Sequence, residues 1–213
     1  MKPILFNADM VRAIIDGRKT QTRRVLKPAN PFRAKADDYR QGSGLWVDYT
    51  HIKDYSVSST WFTRERYISK YARYKPGDIL YVRETWQLTD RCVSEEPGYV
   101  YKTTDPDWET MEGWKWRPAI HMPKEAARLF LRVTAIRIDR LQNMTAEDSL
   151  REGVKLELVS ILNGDPPLDP FARVWDSTIK PAERKLYGWE ANPWVWVYEF
   201  ERTEREKVND AGA

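Results

Sequence analysis

The sequence predicts an α+β fold: a small, mostly antiparallel β-barrel with short helices covering its ends. Six or seven short segments show the apolar alternation typical of strands, and turns or short helices join neighbouring segments. The best of these strands, residues 129–141, changes phase near Ala135 and Ile136. Such a change indicates a β-bulge, which bends a strand around a small barrel.

The length and composition of the chain fit one domain. It has 213 residues, 41% of them hydrophobic, and ten Trp and eleven Tyr supply much of the apolar surface. We therefore expect a small core with aromatic walls and an aromatic-lined groove. We expect the domain to span residues 1–201, with an irregular insertion at about 30–75 and a charged, flexible tail at 202–213.

The charged and metal-binding residues restrict the function classes. Thirty-five Lys and Arg nearly balance 32 acids, so the net charge of +3 permits an anionic ligand without requiring one. The single Cys92 excludes an intramolecular disulfide, and two histidines at no ligand spacing predict neither a metal nor another cofactor. With no apolar run near membrane length and no signal peptide, we expect no membrane contact and a cytoplasmic location.

The first elements lead into a basic stretch, residues 17–24. Residues 3–6 suit a short strand, and Asn7 or Asp9 can cap a helix that runs to Asp16. Gly17 then stands where a left-handed residue ends a helix. The chain must turn there, so the cations that follow emerge from a fixed point.

From Thr20 onward the pattern has the two-residue period of a strand. Thr20, Thr22 and Arg24 would share one face, with Gln21 and Arg23 on the other. The stretch has two interpretations: hydroxyls and Lys19 form the floor of a polar pocket, or the segment is a basic, solvated edge strand.

Later elements follow from turn chemistry. Residues 74–78 predict a turn at Pro76 and Gly77, followed by a strand over 79–86 and another over 98–102. Short strands are also expected at 45–47 and 61–62, and Pro123 suits the start of a helix through Arg128.

The last third of the chain contains a predicted capping box. Thr145 with Asp148 begins a short helix that runs to Glu152 and ends at Gly153. An acid near the negative end of a helix is unfavourable, which gives Glu152 either a functional role or a neighbouring cation. Residues 193–200 are apolar on both faces and predict a central strand.

The basic stretch resembles the signature of the ASCH domain family, G-x-K-x-x-(E/T)-x-R, at Gly17, Lys19, Thr22 and Arg24. The resemblance continues, in order, at residues 76–86, 120–123, 144–154 and 189–196, the last of which looks like the C-terminal strand of phage and prophage members. It implies a barrel similar to the PUA domain and an association with RNA or modified nucleosides.

Some small bacterial members of that family are amidohydrolases that remove the acetyl group from acetylcytidine. Their lysine, threonine and glutamate match Lys19, Thr22 and Glu152 by residue. The resemblance thus implies a metal-independent amidohydrolase acting on an acylated cytosine nucleoside or a similar small amide. Thr22 would be the nucleophile and a neutral Lys19 its base, with Glu152 orienting Lys19 or moving a proton.

Residue type suggests the binding groups. Arg24 or backbone N–H groups would stabilise an oxyanion, and Tyr81 or Trp86 would stack on a pyrimidine. The full set of expected binding residues is Gly17, Arg18, Thr20, Arg23, Arg24, Tyr81 and Trp86.

Two other functions remain open at this point. The first is a PUA-like module that binds RNA or a modified nucleobase without chemistry. The second is a phage morphogenesis or host-interaction protein, with a phage or host protein as partner and the host cytoplasm as its location. Fold alone does not decide among the three functions.

Overall fold

The computed structural model of the protein describes residues 1–27, 45–48, 60–89, 98–110, 113–155 and 169–204. These ranges contain nine strands: β1 Lys2–Leu5, β2 Gln21–Val25, β3 Leu45–Asp48, β4 Thr60–Thr63, β5 Ile79–Arg83, β6 Trp86–Leu88, β7 Tyr99–Tyr101, β8 Phe130–Arg140 and β9 Trp194–Thr203. They also contain five α-helices: α1 Ala8–Ile15, α2 Arg64–Tyr71, α3 Ala146–Arg151, α4 Asp169–Thr178 and α5 Arg184–Tyr187. None of these helices has the length and apolar character needed to cross a membrane.

The α+β class is confirmed, and the main sheet is mixed. Its five strands follow the order β1-β5-β8-β9-β2, with β1 parallel to β5 and every other pair antiparallel. Within the described ranges the ladder does not close, because β1 and β2 are its two edges. A side chain links those edges, since Arg24 Nη2 donates to the carbonyl of Leu5 at 2.8 Å.

The longest pairing in the sheet joins β8 and β9. Their register shifts between Val133 and Ala135, beside the position where the sequence predicts a bulge. Strand β9 lies between β8 and β2. Both the bulge and the interior position of the final strand are therefore confirmed.

Two predictions of local structure need correction. The strand expected over 79–86 ends at Arg83, because Trp86 pairs with Tyr101 in a separate two-stranded ladder. The helix expected from Pro123 through Arg128 is wrong, because residues 123–128 are not helical. A 3₁₀ turn at Ala119–His121 precedes this segment, and Arg83 Nε donates to the Met122 carbonyl at 2.9 Å.

Part of the predicted insertion at 30–75 is ordered secondary structure. The short strands expected at 45–47 and 61–62 are confirmed as the antiparallel pair β3 and β4. Helix α2 follows them without having been predicted, and Tyr67 and Tyr74 belong to the main core. Residues 28–44 and 49–59 lie outside the described residues, as do Cys92 and residues 205–213 of the expected tail.

The two faces of the sheet pack against different elements. On one face, Tyr198 and Phe200 of β9 pack with Phe6 and with residues of α1. On the other face, Val195 and Val197 pack with the aromatic residues of α4. Since successive residues of a strand point to opposite faces, β2 also presents one set of side chains to each layer.

The end of α1 fixes the position of Lys19. Asn7 caps the helix by accepting from the Met10 N–H at 2.9 Å. Gly17 is left-handed, with φ +74°, as its position predicted. The N–H groups of Arg18 and Lys19 then both donate to the carbonyl of Ala13, so the chain enters β2 in one direction.

Candidate active site

Lys19 and Glu152 form a buried pair beside the edge of β2 that no other described strand pairs with. Lys19 Nζ lies 2.9 Å from Glu152 Oε2 and 2.8 Å from the Glu152 carbonyl oxygen. The Lys19 side chain is 0% exposed and that of Glu152 is 5% exposed. An isolated backbone bridge joins the same two residues. The structure therefore brings together two of the three residues that the resemblance selected.

The C-terminal end of α3 covers the β2 edge at this place. The N–H of Thr20 donates to the Arg151 carbonyl at 2.9 Å. Gln21, Thr22 and Arg23 are all buried. The interpretation of this segment as a solvated strand is wrong: β2 is an edge strand, but α3 shields it from water.

Arg23 neutralises Glu152 from a second direction. Its Nη1 lies 3.1 Å from Glu152 Oε1, and its Nη2 lies 2.8 Å from Asp148 Oδ2. The guanidinium thus connects the carboxylate at the end of α3 with one in its first turn. A neighbouring cation, one of the two explanations that the sequence left open for Glu152, is present twice, as Lys19 and as Arg23.

Asp148 orients this network and was not predicted to belong to it. Besides Arg23, it accepts from Gln21 Nε2 at 3.1 Å and contacts Arg137 at 3.3 Å. It also completes the predicted capping box, which is confirmed, with Thr145. The capping box located Asp148 at the start of α3, but only the packing of α3 on β2 reveals its contacts with Gln21 and Arg23.

Gly153 allows the close approach of α3 to the lysine. Its φ is +86°, and a Cβ built on it would lie 2.6 Å from Ala13 Cβ and 3.0 Å from Lys19 Cβ. A side chain at this position would therefore collide with α1 and with Lys19 itself.

The electrostatics of the cluster favour a less basic lysine. Burial lowers the pKa of Lys19, with smaller contributions in the same direction from Arg24 and Arg23, against the opposing effect of Glu152. Burial alone would raise the pKa of Asp148, but the charge of Arg23 and hydrogen bonds from Gln21 and Thr145 lower it overall.

Thr22 lies on the other face of β2 from Arg23. It pairs with Tyr198 and shares its face with Arg24. Arg24 and Lys19 both approach the ring of Phe6, with Cζ of Arg24 at 5.2 Å and Nζ of Lys19 at 5.5 Å from its centroid. Phe6 thus connects the Thr22 face to Lys19, although within the described residues no hydrogen bond joins the Thr22 hydroxyl to Lys19 or Glu152.

The remaining predicted binding residues divide between two places. Gly17, Arg18 and Thr20 lie beside the pair, and Arg18 Nη1 donates to the Gly153 carbonyl at 2.8 Å. Trp86 is only 4% exposed and packs in a separate cluster with Tyr81, under the guanidinium of Arg117. The structure does not place Trp86 or Tyr81 in the polar cluster.

Two cavities border this region. The first, which we call the basic cleft, has a volume of about 480 Å³ and is lined by Asn7, Asp9, Met10, Arg12, Arg18, Glu152, Gly153, Val154, Lys155, Pro170, Phe171, Arg173, Val174 and Ser177. The second, the aromatic cavity, has about 360 Å³ and is lined by Ile4, Leu5, Arg24, Val25, Lys27, Tyr71, Arg73, Tyr74, Trp196 and Tyr198. Across the described ranges, no group of three or more acidic, histidine or cysteine side chains is placed to hold a metal ion.

Comparison of the chain with protein-family models, with curated proteins and with solved structures gives no significant match.

Proposed function

We propose that this protein is a metal-independent amidohydrolase that acts on an acylated cytosine nucleoside or a similar small amide. One observation supports the proposal above the others: Lys19 and Glu152, 133 residues apart, meet in a buried pair beside a cleft. A buried pair of titratable groups, one of which lines a cavity, is a candidate for catalysis.

The hydrogen bonds of Lys19 suit a general base. A neutral lysine amine has two N–H groups and one free electron pair. The Glu152 carbonyl and carboxylate provide two acceptors at 2.8 and 2.9 Å. They can hold both N–H groups of the neutral amine and leave the electron pair available. The lowered pKa of Lys19 favours that neutral form.

In the proposed reaction, Thr22 Oγ attacks the acetyl carbonyl carbon while its proton passes to Lys19 Nζ. Collapse of the tetrahedral intermediate breaks the C–N bond, and Lys19 returns the proton to the leaving amino nitrogen. Water then attacks the acetyl–Thr22 ester while Lys19 accepts its proton. The acyl C–Oγ bond breaks, and Lys19 gives that proton to Thr22 Oγ. The products are acetate and the free nucleoside, and both Thr22 and Lys19 return to their starting forms.

The fold assignment belongs to the same proposal. An ASCH-type, PUA-like barrel would require β1 and β2 to approach each other. The Arg24–Leu5 hydrogen bond between those edges and the bulge in β8 support such curvature.

The test is the release of acetate and cytidine from acetylcytidine by the purified protein. We expect turnover in the wild type and a rate about 10²–10⁴ times lower in Lys19→Met, because a general base contributes about that much. Thr22→Val should fail as well, since it lacks the nucleophile. Arg128→Met is the matched control. It removes the cation that pairs with a different buried carboxylate, Glu84, and turnover should be kept. A wild type without turnover, or undiminished rates in both variants, would refute the proposal.

A second candidate, nucleobase binding without chemistry, is favoured by the aromatic cavity. Tyr74, Trp196 and Tyr198 line it together with Arg24, a combination suited to stacking a base near a phosphate. This function predicts RNA binding that falls steeply with salt and that Arg24→Ala weakens. RNA binding that ignores salt would contradict it.

A further inference from the structure

We propose that the basic cleft binds the phosphate of a nucleoside monophosphate, so that a nucleotide is preferred as substrate over the free nucleoside. The nucleoside part of this inference rests on the proposed function. The phosphate part rests on the charges, contacts and size of the cleft.

The described residues of the cleft carry more positive than negative charge. Among them are four cations, Arg12, Arg18, Lys155 and Arg173, and two carboxylates, Asp9 and Glu152. Glu152 is already paired with Lys19 and Arg23 behind the cleft wall. An excess of cations in a concave site raises the local concentration of anions.

Three of the four cations have no carboxylate partner among the described residues. Within the described ranges, Arg12, Lys155 and Arg173 form no ion pair, whereas Arg18 Nη2 lies 2.9 Å from Asp16 Oδ2. All three are exposed, so their charged groups can reach an incoming ligand.

The arrangement suits phosphate in particular. Arg12 on α1 and Arg173 on α4 approach the cleft from two elements, and a guanidinium can bind phosphate oxygens with two hydrogen bonds. Arg12 is held in place, because its Nη2 donates to the Thr103 carbonyl at 2.8 Å. A volume of about 480 Å³ is in the range of small-molecule sites.

The position of the cleft connects binding to the proposed chemistry. Glu152 lines the cleft and also contacts Lys19 Nζ. A nucleotide whose phosphate lies among these cations would therefore border the buried pair. Phosphate binding would contribute to positioning the amide rather than to the chemical step.

The experiment is a calorimetric titration of the full chain with cytidine 5′-monophosphate, cytidine and inorganic phosphate at low salt. We expect the monophosphate to bind about tenfold or more tightly than cytidine, because charge-assisted hydrogen bonds are strong. Inorganic phosphate should compete with it. Arg173→Ala and Lys155→Ala should each weaken the monophosphate and leave cytidine unchanged. Lys185→Ala, which removes an exposed cation of α5 outside the cleft, should change neither.

Equal affinities for cytidine and its monophosphate would overturn the proposal, as would a Lys185→Ala effect equal to that of Arg173→Ala. A cytidine oligonucleotide that binds while the monophosphate does not compete would also overturn it, in favour of RNA. None of these measurements needs turnover. Monophosphate binding without amidohydrolase activity would refute the proposed function alone, whereas turnover on acetylcytidine without a phosphate preference would refute this inference alone.

Discussion

Two buried glutamates in this protein have arginine partners, but their surroundings differ. Glu84 is 1% exposed and binds Arg128 through two hydrogen bonds, at 2.9 and 3.0 Å. Glu152 instead has two partners: its Oε1 lies 3.1 Å from Arg23 Nη1, and its Oε2 lies 2.9 Å from Lys19 Nζ. Glu152 also lines the basic cleft, whereas Glu84 and Arg128 line neither cavity.

The partners of the two carboxylates differ in exposure and in chemistry. Arg128 is 28% exposed, and its guanidinium lies 3.9 Å from the Tyr101 ring centroid. The Glu84–Arg128 pair therefore links the residue after β5 to the segment that leads into β8. Lys19 is fully buried, and a lysine, unlike an arginine, can lose its proton under such conditions. A buried carboxylate–arginine pair is thus a structural feature; a buried lysine beside a cleft adds a group capable of proton transfer.

The largest stability difference should appear when each carboxylate is neutralised. In Glu152→Gln, the buried cation Arg23 loses a charge partner and the buried Lys19 loses its carboxylate acceptor, and we expect a loss of about 3–5 kcal/mol. In Glu84→Gln, the partly exposed Arg128 can turn to water, and the loss should be about 1–3 kcal/mol. Urea unfolding followed by circular dichroism measures both. Equal losses would mean that the burial of Lys19 has no energetic consequence.

Two glycines differ in the space available for a Cβ, and one of them lies against Lys19. Gly153 and Gly77 both have positive φ, +86° and +88°, but only Gly153 has neighbours where a Cβ would stand. Gly77→Ala should cost about 1–2 kcal/mol from the backbone alone. Gly153→Ala should cost about 1–3 kcal/mol more, because its Cβ would press on Ala13 and Lys19.

The same two variants separate stability from activity. We expect Gly153→Ala, but not Gly77→Ala, to lower amide hydrolysis as well, since it displaces the lysine. Thermal unfolding and acetate release would be measured on both proteins. If the two alanines cost the same, the close contact between residue 153 and Lys19 has no effect on the fold.

Local signals in the sequence predicted the ends of the site but not its interior. Gly17 and the Thr145 capping box were predictable because a turn or cap depends on neighbouring residues. The acid at Glu152 was recognisable as misplaced at a helix end. Its pairing with Lys19 came from the resemblance to a family, since no spacing reveals a contact across 133 residues.

The missed features depend on tertiary packing. Asp148 was predicted only as a helix cap, and its contacts with Gln21 and Arg23 require α3 to lie on β2. The fold shows the same limit: the end of β5 at Arg83 follows from the pairing of Trp86 with Tyr101. Trp86 was selected for stacking by residue type alone, and burial in its own cluster keeps it out of the polar network.

The last expected effect is a change of stability with pH, and it isolates the proton on Lys19. Its pKa is lowered by burial in the folded state, so between the folded pKa and about 10.4 the unfolded chain binds more protons. Stability must then rise with pH across that interval, by at most about 1.4 kcal/mol per pH unit. The gain is complete once the pH exceeds the unfolded value, and absent below the folded one.

The measurement is the free energy of unfolding of the wild type minus that of Lys19→Met, taken from pH 7 to 10. The pKa of Tyr198, raised by burial to about 12, keeps that hydroxyl neutral over the same range. The corresponding difference for Arg128→Met should be flat, since arginine does not titrate there. A flat difference for Lys19→Met would show that Lys19 keeps its proton, and would remove the base that the proposed reaction requires.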